Sequence, residues 1–186
     1  MSQTALFFGS FNPIHHGHLG VAKAALQSQR IDHVTFVVTP QNPFKKQIDL
    51  LPEQQRLELA TKVLANQPNM SVSDVEFHLP KPSYTLDTLH HLMQQDPAAE
   101  YVLLMGADTF AQIPQWKKGV ALLEYDIMIY PRLGFELPTS SEKRILLDAP
   151  FMDISATLVR DKIKAGEAVD HLVSQVVADF LATLQY

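Results

Sequence analysis

A Rossmann-like α/β fold, a doubly wound parallel sheet with helices on both faces, is predicted by three features of the sequence. Apolar runs of four to six residues recur along the chain, as buried strands do. Segments with apolar residues every three or four positions separate them, as helices laid on a sheet would. The two kinds alternate in the order strand, helix, strand, helix, which argues for parallel pairing with crossover helices. The elements follow in order. Residues 5–8 (Ala-Leu-Phe-Phe) form a first strand, 19–29 a first helix and 33–38 (His-Val-Thr-Phe-Val-Val) a second strand. Residues 40–46 (Pro-Gln-Asn-Pro-Phe-Lys-Lys) are a loop, because two prolines interrupt them. A second helix covers 52–65, with Pro52-Glu53 as its start signal. A third covers 86–95, and strands follow at 101–105 (Tyr-Val-Leu-Leu-Met) and 127–130 (Ile-Met-Ile-Tyr). The stretch 131–153 has few regular cues. Leu172, Val176, Val177, Phe180, Leu181 and Leu184 share one face of a last helix over about 169–184. Residues 1–186 are expected to form one domain, with the helical segment from about 155 packed back on it.

Composition narrows the function classes. Of 186 residues 46% are apolar and 19% charged, and the formal charge is -5. No net basic field exists to hold a phosphate polymer, so nucleic acid is not expected as a partner, whereas a local pocket of Lys, Arg and His can still take a small anion. The chain has no cysteine, which removes disulfides, thiolate metal sites and cysteine nucleophiles. The N-terminal stretch MSQTALFFGSFNP has no basic leader and only a four-residue apolar run, far short of a membrane span. A cytoplasmic protein without membrane contact is expected; a homo-oligomer is compatible with the chain.

The loop after the first strand carries the strongest chemical signal. It reads Gly9-Ser10-Phe11-Asn12-Pro13-Ile14-His15-His16-Gly17-His18-Leu19, and in an open α/β sheet this is where ligands meet a helix N-terminus. Gly9 lets backbone approach a phosphate without a Cβ in the way, Ser10 and Phe11 offer N–H donors, and Asn12 or Pro13 shapes the turn. His15 and His18 are three apart, so a helix beginning near His16 brings both imidazoles to its first turn, where they can donate to phosphate oxygens. A zinc site is disfavoured, since no carboxylate stands at zinc-protease spacing and no cysteine is present. Neither a Walker lysine nor a GxGxxG fingerprint occurs, which argues against a P-loop kinase and a dehydrogenase.

This loop resembles the (H/T)xGH signature of the nucleotidyltransferase superfamily, with Asn12 where many bacterial members have Asp. A second element, Ile154-Ser155-Ala156-Thr157-Leu158-Val159-Arg160, resembles the ISSTxxR motif of the same superfamily, with Ala156 in place of its second serine. Physically, Ser155 is an N-cap candidate with free N–H groups behind it, and Arg160 lies within about a turn and can fork onto phosphates. Ser83-Tyr84-Thr85-Leu86-Asp87-Thr88-Leu89, with Gly106-Ala107-Asp108 and Trp116, resembles the SYTxDTL and GxD…W elements of bacterial nicotinate-nucleotide adenylyltransferases.

The resemblance implies roles. Tyr84, Thr85 and Trp116 would surround a pyridine ring, Gly106 and Asp108 would lie near the adenosine ribose, and Ser155 and Thr157 near nucleotide phosphates. Asn42 with Lys45 or Lys46 would stand beside the mononucleotide in a loop of the family. The chemistry suits these residues: an indole offers a flat face to an electron-poor ring, a threonine hydroxyl and N–H bind a carboxylate, and an aspartate accepts from ribose hydroxyls. The implied reaction is adenylyl transfer from ATP to nicotinate mononucleotide in NAD biosynthesis. Mg²⁺ would be held through the ATP phosphates, with no side-chain metal site. The acceptor's phosphate is already an oxyanion, so His15, His18 and Arg160 would serve by positioning and charge rather than as a base. Pantetheine-phosphate adenylyl transfer and a non-catalytic nucleotide sensor are the alternatives.

Overall fold

The computed structural model describes residues 3–40, 50–149 and 153–184. Their strands are β1 (Gln3–Gly9), β2 (His33–Val38), β3 (Met70–Ser73), β4 (Glu100–Gly106), β5 (Ile127–Tyr130) and β6 (Arg144–Leu146). The helices are α1 (His16–Gln27), α2 (Glu53–Leu64), α3 (Thr85–Gln95), α4 (Ala107–Gln112), α5 (Gly119–Leu122), α6 (Ala156–Lys164) and α7 (Gln175–Ala182). All six strands pair in parallel in the order β3-β2-β1-β4-β5-β6. This is the doubly wound order, in which the chain reverses direction across the sheet between β1 and β4. The expected fold class is therefore observed.

Side-chain alternation explains the layers, because successive residues of a strand point to opposite faces. Ala5 and Phe7 of β1, Val34, Phe36 and Val38 of β2, and Val102 and Leu104 of β4 join one core with α1, α2, α6 and α7. Leu6, Val37, Leu103 and Met105 point the other way, into a second core with α3, α4 and α5. Central strands buried on both faces read as continuous apolar runs, which is why β1, β2, β4 and β5 are visible in the sequence.

Three features depart from expectation. The edge strands β3 and β6 lack an apolar run of the length seen in the central strands: they are four and three residues long, and only Met70 among their residues is buried. The second of them lies in the cue-poor stretch 131–153. α1 begins three residues earlier than its apolar pattern and ends before Gln29, whose φ of 56° is left-handed. The last helix is also shorter than predicted, starting at Gln175 behind Ser174. Of the predicted face Leu172, Val177 and Leu181 are buried, whereas Val176, in the first turn of the shortened helix, is exposed; Val169 before it is buried too, and the Leu172 carbonyl accepts from His16 N at 2.9 Å. That carbonyl satisfies one of the orphan donors at the start of α1, so the turn before α7 serves the first loop. Among the described residues no helix is long and apolar enough to cross a membrane.

Candidate active site

A cleft of about 400 Å³ opens at the carboxyl ends of β1 and β4, where the strand order reverses. Its walls come from the loop after β1, the start of α3, the ends of β4 and β5, and the start of α6. The sequence elements singled out above thus meet in one place, apart from Asn42, Lys45 and Lys46, which lie outside the described residues.

The histidines form the base of the cleft. His15 is the extended N-cap residue of α1 and His18 sits in its first turn; their rings stack with centroids 3.6 Å apart and an interplanar angle of 26°. His15 N donates to His18 Nδ1 at 3.2 Å, so that nitrogen is an acceptor and the neutral His18 ring carries its proton on Nε2. Phe11 and Phe7 meet the His18 ring edge-on at 5.0 and 5.9 Å. Phe11 takes a φ of 45° and buries its ring beside Phe7 and Phe36, so its side chain is a buttress. Gly17 is required by the same packing: a Cβ there would stand 2.9 Å from His15 Nδ1.

Burial holds the His15 pKa down at about 3, aided by the Arg132 guanidinium and by His16. Its Nδ1 is buried with no hydrogen-bond partner among the described residues. At neutral pH the ring is therefore uncharged. Linkage follows with a definite sign. Below pH 6.5 the unfolded chain protonates this histidine while the native state does not, so its contribution is full above 6.5 and is lost as pH falls towards 3. At pH 5 the loss is on the order of 2 kcal/mol. The difference in melting temperature between the native chain and His15→Asn should therefore change by several degrees in the variant's favour between pH 7.5 and 5; no change would show that His15 protonates freely.

Asn12 is buried and ties the loop to its neighbours: its Oδ1 accepts from Leu51 N at 3.0 Å, and its carbonyl accepts from Arg160 Nη1 at 2.7 Å. Arg160 thereby joins the two terminal motifs across the cleft. Its Nη2 also donates to Thr157 Oγ1 at 3.3 Å, while its Nε is buried without a partner among the described residues. Ser155 caps α6 as read from the sequence, its Oγ accepting from Leu158 N at 3.1 Å. Gly9 and Ser10 line the cleft, with the Gly9 carbonyl taken by Thr39 N and the Ser10 carbonyl by Arg56.

At the far end, Gly106 ends β4 and Asp108 lies in the first turn of α4. A Cβ on Gly106 would collide with Asp108 Oδ1 and come within 2.9 Å of Arg132 Cγ, so only glycine lets the aspartate lie over the strand end. Arg132 Nε stands 3.7 Å from Asp108 Oδ1. Trp116 packs against the second core and also lines the cleft, with Nε1 buried and unpartnered among the described residues. Tyr84 precedes α3 as its N-cap, Thr85 is its first residue, and Lys117 Nζ lies 4.9 Å from the Tyr84 ring centroid. The cleft also holds residues not anticipated from the sequence: Glu76, Ser83, Tyr130 and Arg132. Burial pushes the Tyr130 hydroxyl up to about 12. Among the described residues no three His, Cys, Asp or Glu side chains converge as a metal site would require.

Residues 6–162 match the model of the cytidylyltransferase-like family. A Cytophaga hutchinsonii protein named "probable nicotinate-nucleotide adenylyltransferase" is 40% identical, over 97% of this chain and 96% of its own. A Bacteroides fragilis protein of the same name is 38% identical over 95% and 89%. Among solved structures, the Plasmodium falciparum nicotinic acid mononucleotide adenylyltransferase complexed with NaAD superposes with a TM-score of 0.84 at 20% identity, covering 98% of this chain and 95% of that one.

Proposed function

The chain belongs to the cytidylyltransferase-like family and, within it, to the nicotinate-nucleotide adenylyltransferases, and from that premise we propose how its cleft works. ATP and nicotinate mononucleotide bind together across the strand-order reversal. A 5′-phosphate oxygen of the mononucleotide attacks the α-phosphorus of ATP in line, the α–β bridging bond breaks, and pyrophosphate leaves with the bond's electron pair. The product is nicotinate adenine dinucleotide. The attacking oxygen is already deprotonated, so no general base is needed and the barrier is lowered by placement and fixed donors.

The stacked His15–His18 pair at the N-terminus of α1 is the observation that carries this reading. Imidazole N–H groups, backbone amides of the loop and the positive end of α1 together favour charge growing on phosphate oxygens. Arg160, held on the Asn12 carbonyl, contributes a fixed charge between loop and α6 and offers its Nε to the departing pyrophosphate. Asp108 accepts from the adenosine ribose. Tyr84, Thr85 and Trp116 enclose the pyridine ring, with the ring carboxylate at the N-terminus of α3, where no side chain caps the helix. Asn42 and the charge of Lys45 or Lys46 act on the mononucleotide from their loop. Mg²⁺ would be held by the phosphates of ATP and by water, where it would neutralise phosphate charge.

Pyrophosphate release from ATP and Mg²⁺ tests the reading, with nicotinate mononucleotide, nicotinamide mononucleotide or 4′-phosphopantetheine supplied separately. Strong release with the nicotinate compound is expected. Release with phosphopantetheine alone would keep the chemistry and discard the pyridine pocket, and nucleotide binding without release would make the protein a sensor.

A further inference from the structure

Glu76 has no part in the chemistry above, yet it is 2% exposed and lines the cleft. It lies in the 3₁₀ turn Val75–His78 between β3 and α3. Its Oε1 accepts from Thr88 Oγ1 at 2.9 Å, and the same Thr88 hydroxyl reaches the Tyr84 carbonyl at 3.3 Å while Thr88 N donates to that carbonyl at 3.1 Å. The hydroxyls of Ser83 and of Thr39, at the end of β2, also face the carboxyl and partly offset the burial that raises its pKa. Glu76 Oε2 and Ser83 Oγ are both buried with no partner in hydrogen-bonding geometry among the described residues.

Burying a carboxyl group with one oxygen unsatisfied is costly, and an apolar residue would fill the same space without that cost. What the carboxyl does here is hold the Thr88 hydroxyl, with the Ser83 and Thr39 hydroxyls facing it, at one end of the cleft. Thr39 closes β2, Ser83 leads into Tyr84, and Thr88 fixes the first turn of α3, where Thr85 presents its N–H. We propose that Glu76 is a positioning residue for the mononucleotide half of the cleft: through Thr88 it fixes the turn carrying Tyr84 and Thr85, and so sets how strongly a ring carboxylate is preferred over a carboxamide. The inference rests on the reading of that half of the cleft given above. Its physical basis is that an uncapped helix N-terminus rewards an anion only when its N–H groups are held on target. Loosening the turn should therefore weaken nicotinate mononucleotide more than the uncharged-ring analogue, and leave ATP alone.

The test uses the purified full chain and its Glu76→Ala, Glu76→Gln and Thr88→Val variants, with kcat and KM measured for nicotinate mononucleotide, nicotinamide mononucleotide and ATP. Glu76→Ala should raise KM for nicotinate mononucleotide about tenfold and narrow the nicotinate-to-nicotinamide ratio of kcat/KM by a similar factor, the scale of one misplaced hydrogen bond. KM for ATP should stay within about twofold, since the groups assigned to ATP are on other elements. Thr88→Val should act in the same direction. Glu76→Gln, which keeps an acceptor for Thr88 and adds a donor for a hydroxyl, should restore most of the preference. An unchanged ratio in both Glu76→Ala and Thr88→Val, or an equal loss of kcat with every substrate, would overturn the proposal. If Glu76→Ala fails to fold, Thr88→Val decides it on the same ratio. Wild-type turnover is the control: its absence with nicotinate mononucleotide refutes the function and this proposal together, whereas full wild-type turnover with an unmoved ratio refutes the role of Glu76 alone.

Discussion

His18→Ala should lower the turnover number by roughly a hundredfold to a thousandfold, the usual effect of deleting one preorganised donor to a developing oxyanion. The side chain is fixed on every side. His15 N donates to its Nδ1, the His15 ring stacks on it, and Phe7 and Phe11 hold its edges. Those contacts dictate the Nε2–H tautomer and leave the ring no alternative rotamer at little cost, so its donor is in place before substrate arrives. Alanine removes the donor and also the acceptor for His15 N, a helix-start contact worth about 1 kcal/mol. Folding should survive, with melting temperature lowered by a few degrees. KM for ATP should change much less than kcat if the contact strengthens as charge moves to the leaving pyrophosphate. A stopped-flow pyrophosphate assay beside a melting curve separates the two effects. An unchanged turnover number in a folded variant would remove His18 from the mechanism and leave charge stabilisation to Arg160 and the loop amides.

What the sequence disclosed of this site, and what it hid, follow from the physics of each signal. The central strands are legible because burial on both faces demands unbroken apolar runs, and the start of α6 because Ser155 carries a capping signal that acts locally, whereas the first turn of α1 has too few apolar residues to extend its pattern back to His16. The edge strands escape because half-exposed pairs such as Thr35 with Ser71 need no apolar pattern. The last helix is overextended because Val169 and Leu172 are apolar for a reason other than helix packing: their turn is buried so that its carbonyl can reach α1. Arg132 and Glu76 sit outside periodic elements, so no spacing marks them as inward-facing. Arg56 is different. It occupies a position three and four residues before Leu59 and Ala60, on the buried stripe of α2, and an arginine there is itself the signal that something polar must meet it inside.

The second large effect is expected from Arg56→Leu, which should destabilise the fold by about 3–5 kcal/mol, as loss of a buried, fully bonded charged group does. Arg56 is 0% exposed, and its guanidinium donates to four carbonyls: Nε to Leu51 at 2.9 Å, Nη1 to Ser10 at 2.6 Å and Thr39 at 2.8 Å, and Nη2 to Pro40 at 2.8 Å. These belong to the loop after β1, the end of β2 and the approach to α2, three segments that the guanidinium joins at one point. Leucine fills much of the volume but leaves those carbonyls without the donors that satisfy them, at about 1–3 kcal/mol for each one kept from water. Burial lowers the guanidinium pKa to about 10, which still leaves it protonated at neutral pH, so the loss is of charge as well as of donors. For a chain of 186 residues a deficit of this size corresponds to a fall in melting temperature of about 10 °C or more. Arg56→Lys should recover only part of it, because one ammonium offers three donors from a single point where the planar fork reaches four carbonyls spread around it. Thermal melts of the two variants at pH 7.5 read the difference directly. A leucine variant within about 1 kcal/mol of the native chain would mean that the Ser10 turn is held by its own backbone and by Asn12, and that the guanidinium is dispensable to the loop that leads into the two histidines.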